Sequence, residues 1–268
     1  DGNEWNYAYS LSSSHRADVR GALQAWSKVA GVRFTEVADN ASVVGDIRFA
    51  ASDLVDYEGA GGWAFLPNSH PRGGDIWLSP DALNGRSSAP QTYNYLTYIH
   101  EIGHALGLDH SFSGISLPKT YDHFGYTVMS YTAGPNGSNN WADRYPTTPM
   151  IYDILAIQHL YGKNTSYNSG NTTYTFSSTG RYWQTIWDGG GNDTIAVTGS
   201  GACVLDLRSG AFCEIGAAIQ FTHTQSYKTV GIAYGANIEN ATGGSGNDRL
   251  IGNGFNNILN GGAGRHTM

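Results

Sequence analysis

The spacing of apolar residues predicts a mixed structure for the first part of the chain. Residues 5–11 alternate between apolar and polar side chains as a strand does. Apolar residues at helical spacing then predict a helix over residues 15–30, with Ser13 or Ser14 as its N-cap. Short apolar runs after this helix predict four strands, over residues 32–37, 46–51, 63–66 and 76–78.

A further helix is predicted at residues 150–161, with Thr147 or Thr148 before it and Pro149 in its first turn. Gly162 is expected to end this helix, because glycine tolerates the backbone conformation found just after a helix. Beyond Gly162, glycine, asparagine and threonine become frequent and helical periodicity stops. We therefore predict two domains, residues 1–162 and 163–268. The first has an α+β fold, with a twisted mixed sheet and helices packed on it.

A histidine motif lies between these two helices, in the order H-E-I-G-H-A-L-G-L-D-H. On a helix, His100 and His104 lie on nearly the same face, so both can bind one ion. Gly107 can take a positive φ and turn the chain back, which brings in His110 as a third ligand. Three protein ligands leave a coordination position free, which is typical of a catalytic Zn²⁺ site. Glu101 is placed to hold a water molecule beside the ion without binding the ion itself.

The motif and its surroundings resemble the metzincin metallopeptidases, and within them the serralysins. Thr-Val-Met-Ser-Tyr at residues 127–131 is similar to the methionine-containing turn of metzincins, and residues 64–67, 100–108 and 156–162 resemble serralysin segments. Ser111 departs from the pattern, since serralysins usually carry proline after the third histidine. The resemblance implies a secreted zinc endopeptidase that acts on proteins or peptides, with Glu101 as general base. It also leaves open a proteinaceous inhibitor as a partner.

The resemblance assigns further roles in the catalytic domain. Met129 would form the apolar floor beneath the histidines. Tyr131 would reach the metal, move away when substrate binds and stabilise the oxyanion. Ala64, Phe65 and Leu66 would form the sheet edge on which a peptide substrate adds as a strand, although an ordinary buried strand fits the same residues.

The C-terminal part contains glycine-rich segments with a nine-residue period. The segments beginning at Gly243, Gly252 and Gly261 follow the G-G-x-G-x-D-x-U-x pattern of calcium-binding parallel β-rolls. We therefore predict an all-β parallel roll or sandwich that binds several structural Ca²⁺ ions, in preference to a flexible linker. The ligands expected from the pattern are Gly243, Gly246, Asp248 and Asn257. The array decays towards its end, because Asn257 and His266 stand where the pattern has aspartate.

A second calcium region is implied by the resemblance to serralysins. It surrounds the sequence Asp-Gly-Gly-Gly-Asn-Asp at residues 188–193, which would otherwise be a simple turn between strands. The ligands carried over residue by residue are Asn168, Gly170, Thr172, Asp188, Gly190, Gly191, Asp193, Asn237 and Glu239.

Cys203 and Cys213 are the only cysteines in the sequence. In strand-like surroundings a disulfide between them is possible if the protein is exported, and we favour it over two buried free thiols. Serralysins generally lack cysteines, so this pair is a second departure from the resemblance.

Charge and composition exclude several classes of partner. The net charge is −7 and the 15 basic residues do not cluster, so we expect no nucleic-acid binding. No apolar run is long enough for a transmembrane helix, and we expect a secreted monomer with no membrane association. Two other interpretations stay open. One is an inactive β-roll binding protein that retains a zinc site, and the other is a metzincin of a different branch.

Overall fold

The computed structural model describes residues 7–38, 40, 42–57, 61–84, 86–135, 137 and 139–268. The helices within these residues are α1 (Ser13–Val29), α2 (Asp53–Tyr57), α3 (Pro80–Leu83), α4 (Tyr93–Ala105) and α5 (Ile151–Tyr161). The strands before α5 are β1 (Ala8–Tyr9), β2 (Phe49–Ser52), β3 (Gly62–Ala64) and β4 (Ile76–Leu78). The strands after α5 are β5 (Thr173–Ser177), β6 (Gln184–Ile186), β7 (Thr194–Thr198), β8 (Val204–Asp206), β9 (Phe212–Gln220), β10 (Gln225–Ile232), β11 (Asn240–Thr242), β12 (Arg249–Ile251) and β13 (Ile258–Asn260).

The N-terminal half contains a small mixed sheet with helices packed on it, as predicted. The strand order is β1-β2-β4-β3, in which β2 and β4 are parallel while β1 and β3 pair antiparallel with their neighbours. Helices α1 and α4 pack against each other, and the buried Trp26 donates from Nε1 to the carbonyl of Ile99 at 3.1 Å. Because β3 is the last strand in this order, it lies at an edge of the sheet, and it contacts α4.

Several predicted boundaries are wrong in detail. Helix α1 begins earlier than expected, because Ser12 and not Ser13 or Ser14 accepts the capping hydrogen bond from the N–H of His15. Residues 5 and 6 of the first predicted strand lie outside the described residues. The strand expected over residues 32–37 is not formed: this segment pairs with no strand among the described residues, although Val32 and Phe34 pack on the core.

Helix α5 also differs at its start. Its N-cap is Met150, so Pro149 precedes the helix and neither Thr147 nor Thr148 caps it. The N–H of Met150 is bound instead by the carboxylate of Asp153, at 2.8 Å. The helix ends at Gly162 with φ +75°, as expected for glycine at this position. The secondary structure changes from helix to strands after this residue, and a domain boundary there stays a prediction.

The C-terminal half is built from two sheets. One sheet has the order β13-β11-β7-β5, and all of its strand pairs are parallel. The other has the order β12-β8-β9-β10-β6 and combines parallel with antiparallel pairs. A single cluster of buried apolar residues runs from α1 and α4 into both sheets. The whole is a mixed α+β half followed by a β-rich half, which confirms the predicted fold class.

The parallel register stacks the turns between the two sheets into columns. On one side, Asp193, Glu239 and Asn257 occupy equivalent positions just before β7, β11 and β13. On the other side, Cys203 and Asp248 precede β8 and β12, and His266 follows in the same column. The decayed glycine-rich repeats therefore still form regular stacked turns.

The predicted disulfide between Cys203 and Cys213 is wrong, and both thiols are free and buried. Strands β8 and β9 pair with Val204 opposite Glu214, so the two cysteines are diagonal and not opposed. Diagonal neighbours on antiparallel strands lie about 7–8 Å apart, beyond the usual span of a disulfide. Each thiol has another acceptor: Asp248 Oδ1 at 3.2 Å from Cys203 Sγ, and the Asp206 carbonyl at 3.6 Å from Cys213 Sγ.

No helix in the described part of the chain has the length and apolar character needed to cross a membrane.

Candidate metal centre

Helix α4 carries the first two histidines of the motif. Thr92 caps its start by accepting from the N–H of Tyr95 at 3.2 Å, and the helix is buried along almost its whole length. At its end, the N–H of Gly107 bonds to the carbonyl of His104, and the N–H of Leu108 to the carbonyl of Gly103. This is the Schellman arrangement, and Gly107 supplies the left-handed residue that it needs, with φ +99°. The predicted turn after the helix is confirmed.

The turn brings the three histidines together. The Nε2 atom of His104 lies 3.1 Å from Nε2 of His100 and 3.1 Å from Nε2 of His110. Tetrahedral Zn²⁺ with imidazole ligands requires nitrogen–nitrogen separations of about 3.3 Å. A group of three histidine, cysteine or acidic side chains with all ligand atoms within 4.8 Å of one another could hold a metal ion. Among the described residues, the three histidines of the motif form such a group.

Two of the rings are fixed by hydrogen bonds on their far side. His100 Nδ1 lies 2.7 Å from the carbonyl of Val128, and His104 Nδ1 lies 2.7 Å from the carbonyl of Leu108. A proton on Nδ1 leaves the Nε2 lone pair free, which is the form that binds a metal. Burial lowers the pKa of all three histidines, to about 3 for His100, and so favours the neutral ring. The donor set therefore fits zinc.

Glu101 lies beside the histidines and is 5% exposed. Burial raises the pKa of its carboxyl to about 8. Its Oε2 is buried without a hydrogen-bond partner among the described residues. A buried unpaired oxygen is costly and is found where a ligand or water normally completes the site.

The segment 127–131 lies beneath the histidines. Met129 is 2% exposed, and a Cβ atom placed on Gly103 would lie only 2.6 Å from Met129 Sδ. Glycine at position 103 is thus required for the close packing of α4 on the methionine turn. Sequence reasoning missed this function of Gly103, although glycine within an apolar helix indicates close packing.

Asp153 is a second residue that sequence reasoning missed. Its buried carboxylate accepts from Thr127 Oγ1 at 2.6 Å, from the N–H of Val128 at 2.7 Å and from the N–H of Met150 at 2.8 Å. One carboxylate therefore joins the methionine turn to the start of α5. An acidic residue in the first turn of the predicted helix was the available signal.

Tyr131 and strand β3 lie at the open side of the centre. The Tyr131 ring is 57% exposed, with its centroid 4.7 Å from that of His110 and 5.6 Å from that of His100. Strand β3 bonds to β4 and includes Ala64, while Phe65 continues the ladder by donating its N–H to the carbonyl of Asp75. Because bonding alternates along a strand, Ala64 directs its backbone N–H and C=O to the open edge. Leu66 follows and is exposed.

In the expected second calcium region, Asp193 interacts with both other acidic residues, Asp188 and Glu239, although the ligand atoms of the three do not all lie within 4.8 Å of one another as those of the histidines do. Asp188 and Asp193 are buried, and Glu239 Oε2 accepts from the N–H of Asp193 at 2.8 Å. Asp193 Oδ1 accepts from the N–H of Thr172 at 2.7 Å, whereas its Oδ2 is buried without a partner in the described chain. Burial, with the nearby charges of Asp188 and Glu239, raises the pKa of Asp193 to about 6. Asp188 already accepts from the hydroxyl of Tyr174 at 2.6 Å and from the N–H of Gly190 at 2.8 Å. Asp193 Oδ2 is therefore the oxygen of this group that is left for a hard cation.

The backbone around this cluster supports the same fit. Gly190 and Gly191 have φ values of +137° and +144°, and a Cβ atom on Gly191 would lie 2.7 Å from the carbonyl of Gly170. Asn168 also has a positive φ, of +48°. The turn at residues 168–172 therefore packs tightly against that at 188–193, while Asn237 lies exposed in the turn before Glu239.

The opposite column is arranged differently. Asp248 Oδ1 accepts from both the N–H and the Sγ of Cys203, and its Oδ2 accepts from the N–H of Gly244 at 3.0 Å. Gly243 and Gly246 lie in the same turn, packed against Gly261 and Gly201. Asn257, on the first side, donates from Nδ2 to the carbonyl of Glu239 at 2.8 Å. Both oxygens of Asp248 thus already have protein donors.

Comparison with known proteins gives consistent matches for both halves. The matrixin family model matches residues 5–125, and the model of the peptidase M10 serralysin C terminus matches residues 152–266. The chain belongs to the serralysin-like metzincins. Metalloprotease AprA of Pseudomonas entomophila is 35% identical over 93% of this chain, and serralysin of Proteus mirabilis is 35% identical over 94%. Serralysin A of Dickeya chrysanthemi is 37% identical over 90% of this chain.

This serralysin-like chain spans about half the length of these relatives, at 55%, 56% and 53% of the three proteins. The resemblance drawn from the histidine motif and the methionine turn is thereby confirmed at the level of family. Serralysins usually have proline at the position of Ser111. Here the N–H of Ser111 donates to the carbonyl of Met129 at 3.2 Å, and its hydroxyl donates to Asp122 Oδ1 at 2.6 Å.

Proposed function

We propose that this chain is a zinc-dependent endopeptidase that hydrolyses peptide bonds in proteins. The observation that carries the proposal is the convergence of three neutral imidazole Nε2 atoms beside a buried, unpartnered glutamate oxygen. The named relatives, metalloprotease AprA and the serralysins, support the same activity.

His100, His104 and His110 would hold the ion through their Nε2 atoms. Bound zinc polarises a scissile carbonyl and lowers the pKa of a water molecule. The carbonyls of Val128 and Leu108 keep His100 and His104 oriented, so their Nε2 atoms need little reorganisation when the ion arrives.

Glu101 acts as the general base. Its carboxylate accepts a proton from the attacking water and transfers it to the nitrogen of the leaving amine. Burial favours the protonated form of this side chain, whereas a cation held by the adjacent histidines favours the carboxylate. Because these two effects oppose each other, the carboxyl group of Glu101 can accept and release a proton near neutral pH.

The open side of the centre receives the substrate. The peptide would add as a strand to the free edge of β3, with hydrogen bonds to the backbone of Ala64 and contacts to Phe65 and Leu66. Tyr131 is exposed and close to His100 and His110, so its hydroxyl can act as a ligand at rest and then donate to the developing oxyanion. Met129 forms the packed floor of the centre.

The C-terminal half would bind structural Ca²⁺. The strongest site would be at Asp193, with Asp188 and Glu239 beside it, because the buried Asp193 Oδ2 has no donor among the described residues and the like charges repel one another. The remaining proposed oxygen donors are Asn168, Gly170, Thr172, Gly190, Gly191 and Asn237, with Gly243, Gly246, Asp248 and Asn257 in the later repeats.

We further propose secretion, a monomeric state and recognition by a proteinaceous inhibitor, all on the resemblance to serralysins. The inactive binding protein is not favoured, because the histidines and Glu101 form a complete centre and the relatives are named as proteases.

Casein hydrolysis tests the proposed activity. The chain is assayed in calcium-containing buffer, with and without phenanthroline, and then after zinc is added back. We expect chelation to abolish hydrolysis and zinc to restore it. Hydrolysis that is insensitive to the chelator would contradict the proposal, as would a folded, zinc-loaded chain that cleaves neither casein nor short peptides.

A further inference from the structure

An arginine with no acidic partner among the described residues lies beside the sheet edge proposed to receive the substrate. The Arg72 guanidinium lies over the ring of Phe65, with its Cζ 4.6 Å from the ring centroid. Arg72 is exposed, and in the part of the chain that the structure describes it forms no ion pair. The carboxylate nearest to it along the chain, that of Asp75, is bound through both oxygens by Arg48, at 2.7 and 2.6 Å. Arg72 is thus an unneutralised cation on a chain of net charge −7.

The loop that carries Arg72 is held in place by hydrogen bonds. The N–H of Asp75 donates to the carbonyl of Arg72 at 3.0 Å. Arg48 binds the loop from the side, by donating from Nη2 to the carbonyl of Pro71 at 3.0 Å. The backbone that carries the guanidinium is therefore ordered before any substrate arrives, which lowers the entropy cost of binding.

Phe65 and Arg72 lie on the face of the sheet that is turned away from the metal centre. Phe65 packs with Trp63 on a small, separate cluster of buried residues. On the opposite face, a Cβ atom on Gly62 would lie 3.2 Å from Glu101 Cγ. Successive side chains alternate between the two faces, as they do along any strand.

A peptide that adds to this edge brings one of its side chains to Arg72. Ala64 directs its backbone groups to the added strand, so a neighbouring substrate residue lies opposite Phe65. Directly opposed side chains on adjacent strands point to the same face, with Cβ atoms about 4.5–5.5 Å apart. An acidic side chain at this position can reach the guanidinium over the Phe65 ring. The planar guanidinium can then bind the carboxylate through two N–H groups.

We propose that Arg72, held over Phe65, selects an acidic side chain of the substrate at the position opposite Phe65. This inference rests on the proposed peptidase function and adds a substrate preference to it. The substrate carboxylate supplies the negative charge that the described residues do not place beside Arg72. Because the Phe65 ring covers one side of the guanidinium, the pair is less hydrated than an ion pair between two fully exposed side chains.

A purely structural role for Arg72 would be to cover Phe65 and stiffen the edge. Loss of that role would slow the hydrolysis of every peptide to the same extent. A contact with one substrate carboxylate acts differently, because its loss changes the ratio between acidic and neutral peptides. The contact also weakens as salt is added. Selectivity and its salt dependence therefore separate the two roles.

The experiment begins with a casein digest, in which mass spectrometry locates the cleaved bonds. Fluorogenic peptides based on one cleaved sequence then carry glutamate, glutamine or lysine at each position within about four residues of the bond, one position at a time. Wild-type chain, Arg72→Gln, Arg72→Lys and Arg72→Glu are compared, and zinc content is measured for each.

Arg33→Gln is the matched control. Arg33 is also exposed and forms no ion pair within the described chain, and it lies in the segment after α1, beside residues 163–166. Its replacement changes the net charge by the same amount as Arg72→Gln and should leave hydrolysis at the wild-type rate.

At one position, we expect the wild-type chain to prefer glutamate over glutamine by about three- to fivefold in kcat/KM at low salt, and to lose this preference in roughly 1 M salt. Arg72→Gln should remove the preference and leave the glutamine peptide nearly unchanged. Arg72→Lys should retain part of it, and Arg72→Glu should prefer the lysine peptide. A wild-type chain without a preference for glutamate at any position would overturn the proposal, as would an equal fall for all peptides in Arg72→Gln.

Binding to the inactive Glu101→Ala chain separates this preference from the peptidase function. Calorimetry should show that the glutamate peptide binds more tightly than the glutamine peptide, and that the difference vanishes when Arg72→Gln is added. If the wild-type chain cleaves no peptide, the proposed peptidase function fails. The acidic preference fails separately if the two peptides bind Glu101→Ala with equal affinity.

Discussion

Asp153 and His100 form hydrogen bonds to the two backbone groups of the same residue, Val128. The Asp153 carboxylate accepts from the N–H of Val128 at 2.7 Å, and the carbonyl of the same Val128 lies 2.7 Å from His100 Nδ1. The first histidine of the motif is therefore oriented by a buried carboxylate at the start of α5, outside the motif itself. Since Asp153 also binds Thr127 and Met150, it positions the whole methionine turn.

Replacement of Asp153 by alanine should destabilise the protein and weaken zinc binding. It would leave two buried N–H groups and a buried hydroxyl without an acceptor, at about 1–3 kcal/mol each. We expect a lower free energy of unfolding in urea and a higher zinc dissociation constant in a chelator competition. Asp153→Asn should lose less stability and less zinc affinity than the alanine variant, because its amide retains one acceptor oxygen. Wild-type values for the alanine variant would contradict this positioning role.

Gly103→Ala should also destabilise the protein, because the new Cβ would lie 2.6 Å from Met129 Sδ and 3.2 Å from Trp26. Overpacking of this kind costs about 1–3 kcal/mol and outweighs the gain in helix propensity. Gly21→Ala in α1 is the matched control, since its Cβ would meet only ordinary contacts, at 3.5 Å, and should not destabilise. Equal melting temperatures for the two variants would show that α4 and the methionine turn are not closely packed.

The acidic cluster should make stability depend on pH in opposite ways with and without calcium. The pKa of Asp193 is raised to about 6, so without calcium its contribution to stability is present below about pH 4 and is lost as the pH rises through 6. Relative to Asp193→Asn, zinc-loaded wild-type chain in calcium-free buffer should therefore lose stability between pH 4 and 7.

With saturating calcium at pH 7, the wild-type chain should be more stable than Asp193→Asn, because the Asp193 carboxylate then binds a cation and binding stabilises the folded state. Urea denaturation of both proteins over this pH range, with and without calcium, is the measurement. If calcium leaves the wild-type and Asp193→Asn curves unchanged, the cluster is not a calcium site.

Reduction should have no effect on stability, since Cys203 and Cys213 are free. We expect equal melting temperatures with and without dithiothreitol, and two alkylated thiols per unfolded chain by mass spectrometry. Cys203→Ser keeps a donor to Asp248 and should fold. A chain mass that is lower by two hydrogens, or a melting temperature that falls on reduction, would show that the two cysteines form a disulfide after all.

The sequence predicts the features that local chemistry determines. The turn at Gly107 follows from glycine's access to positive φ, and the convergence of three histidines follows from helical spacing plus that turn. The family and the fold class also followed from motifs and composition.

Features that depend on tertiary partners were missed. Residues 32–37 have a strand-like sequence but pair with no strand edge among the described residues. Cys203 and Cys213 are close in sequence, yet the register of β8 and β9 sets them diagonally. The roles of Gly103 and Asp153 become visible only when α4 and α5 are packed on the methionine turn.

We propose that Glu101 is the general base at a zinc ion held by the three histidines. The most direct test measures zinc content and casein hydrolysis for wild-type and Glu101→Gln chains prepared identically. We expect one zinc per chain in both proteins, with hydrolysis by Glu101→Gln lowered by at least about a hundredfold. A Glu101→Gln chain that retains zinc and cleaves casein at a rate near that of wild type would contradict it.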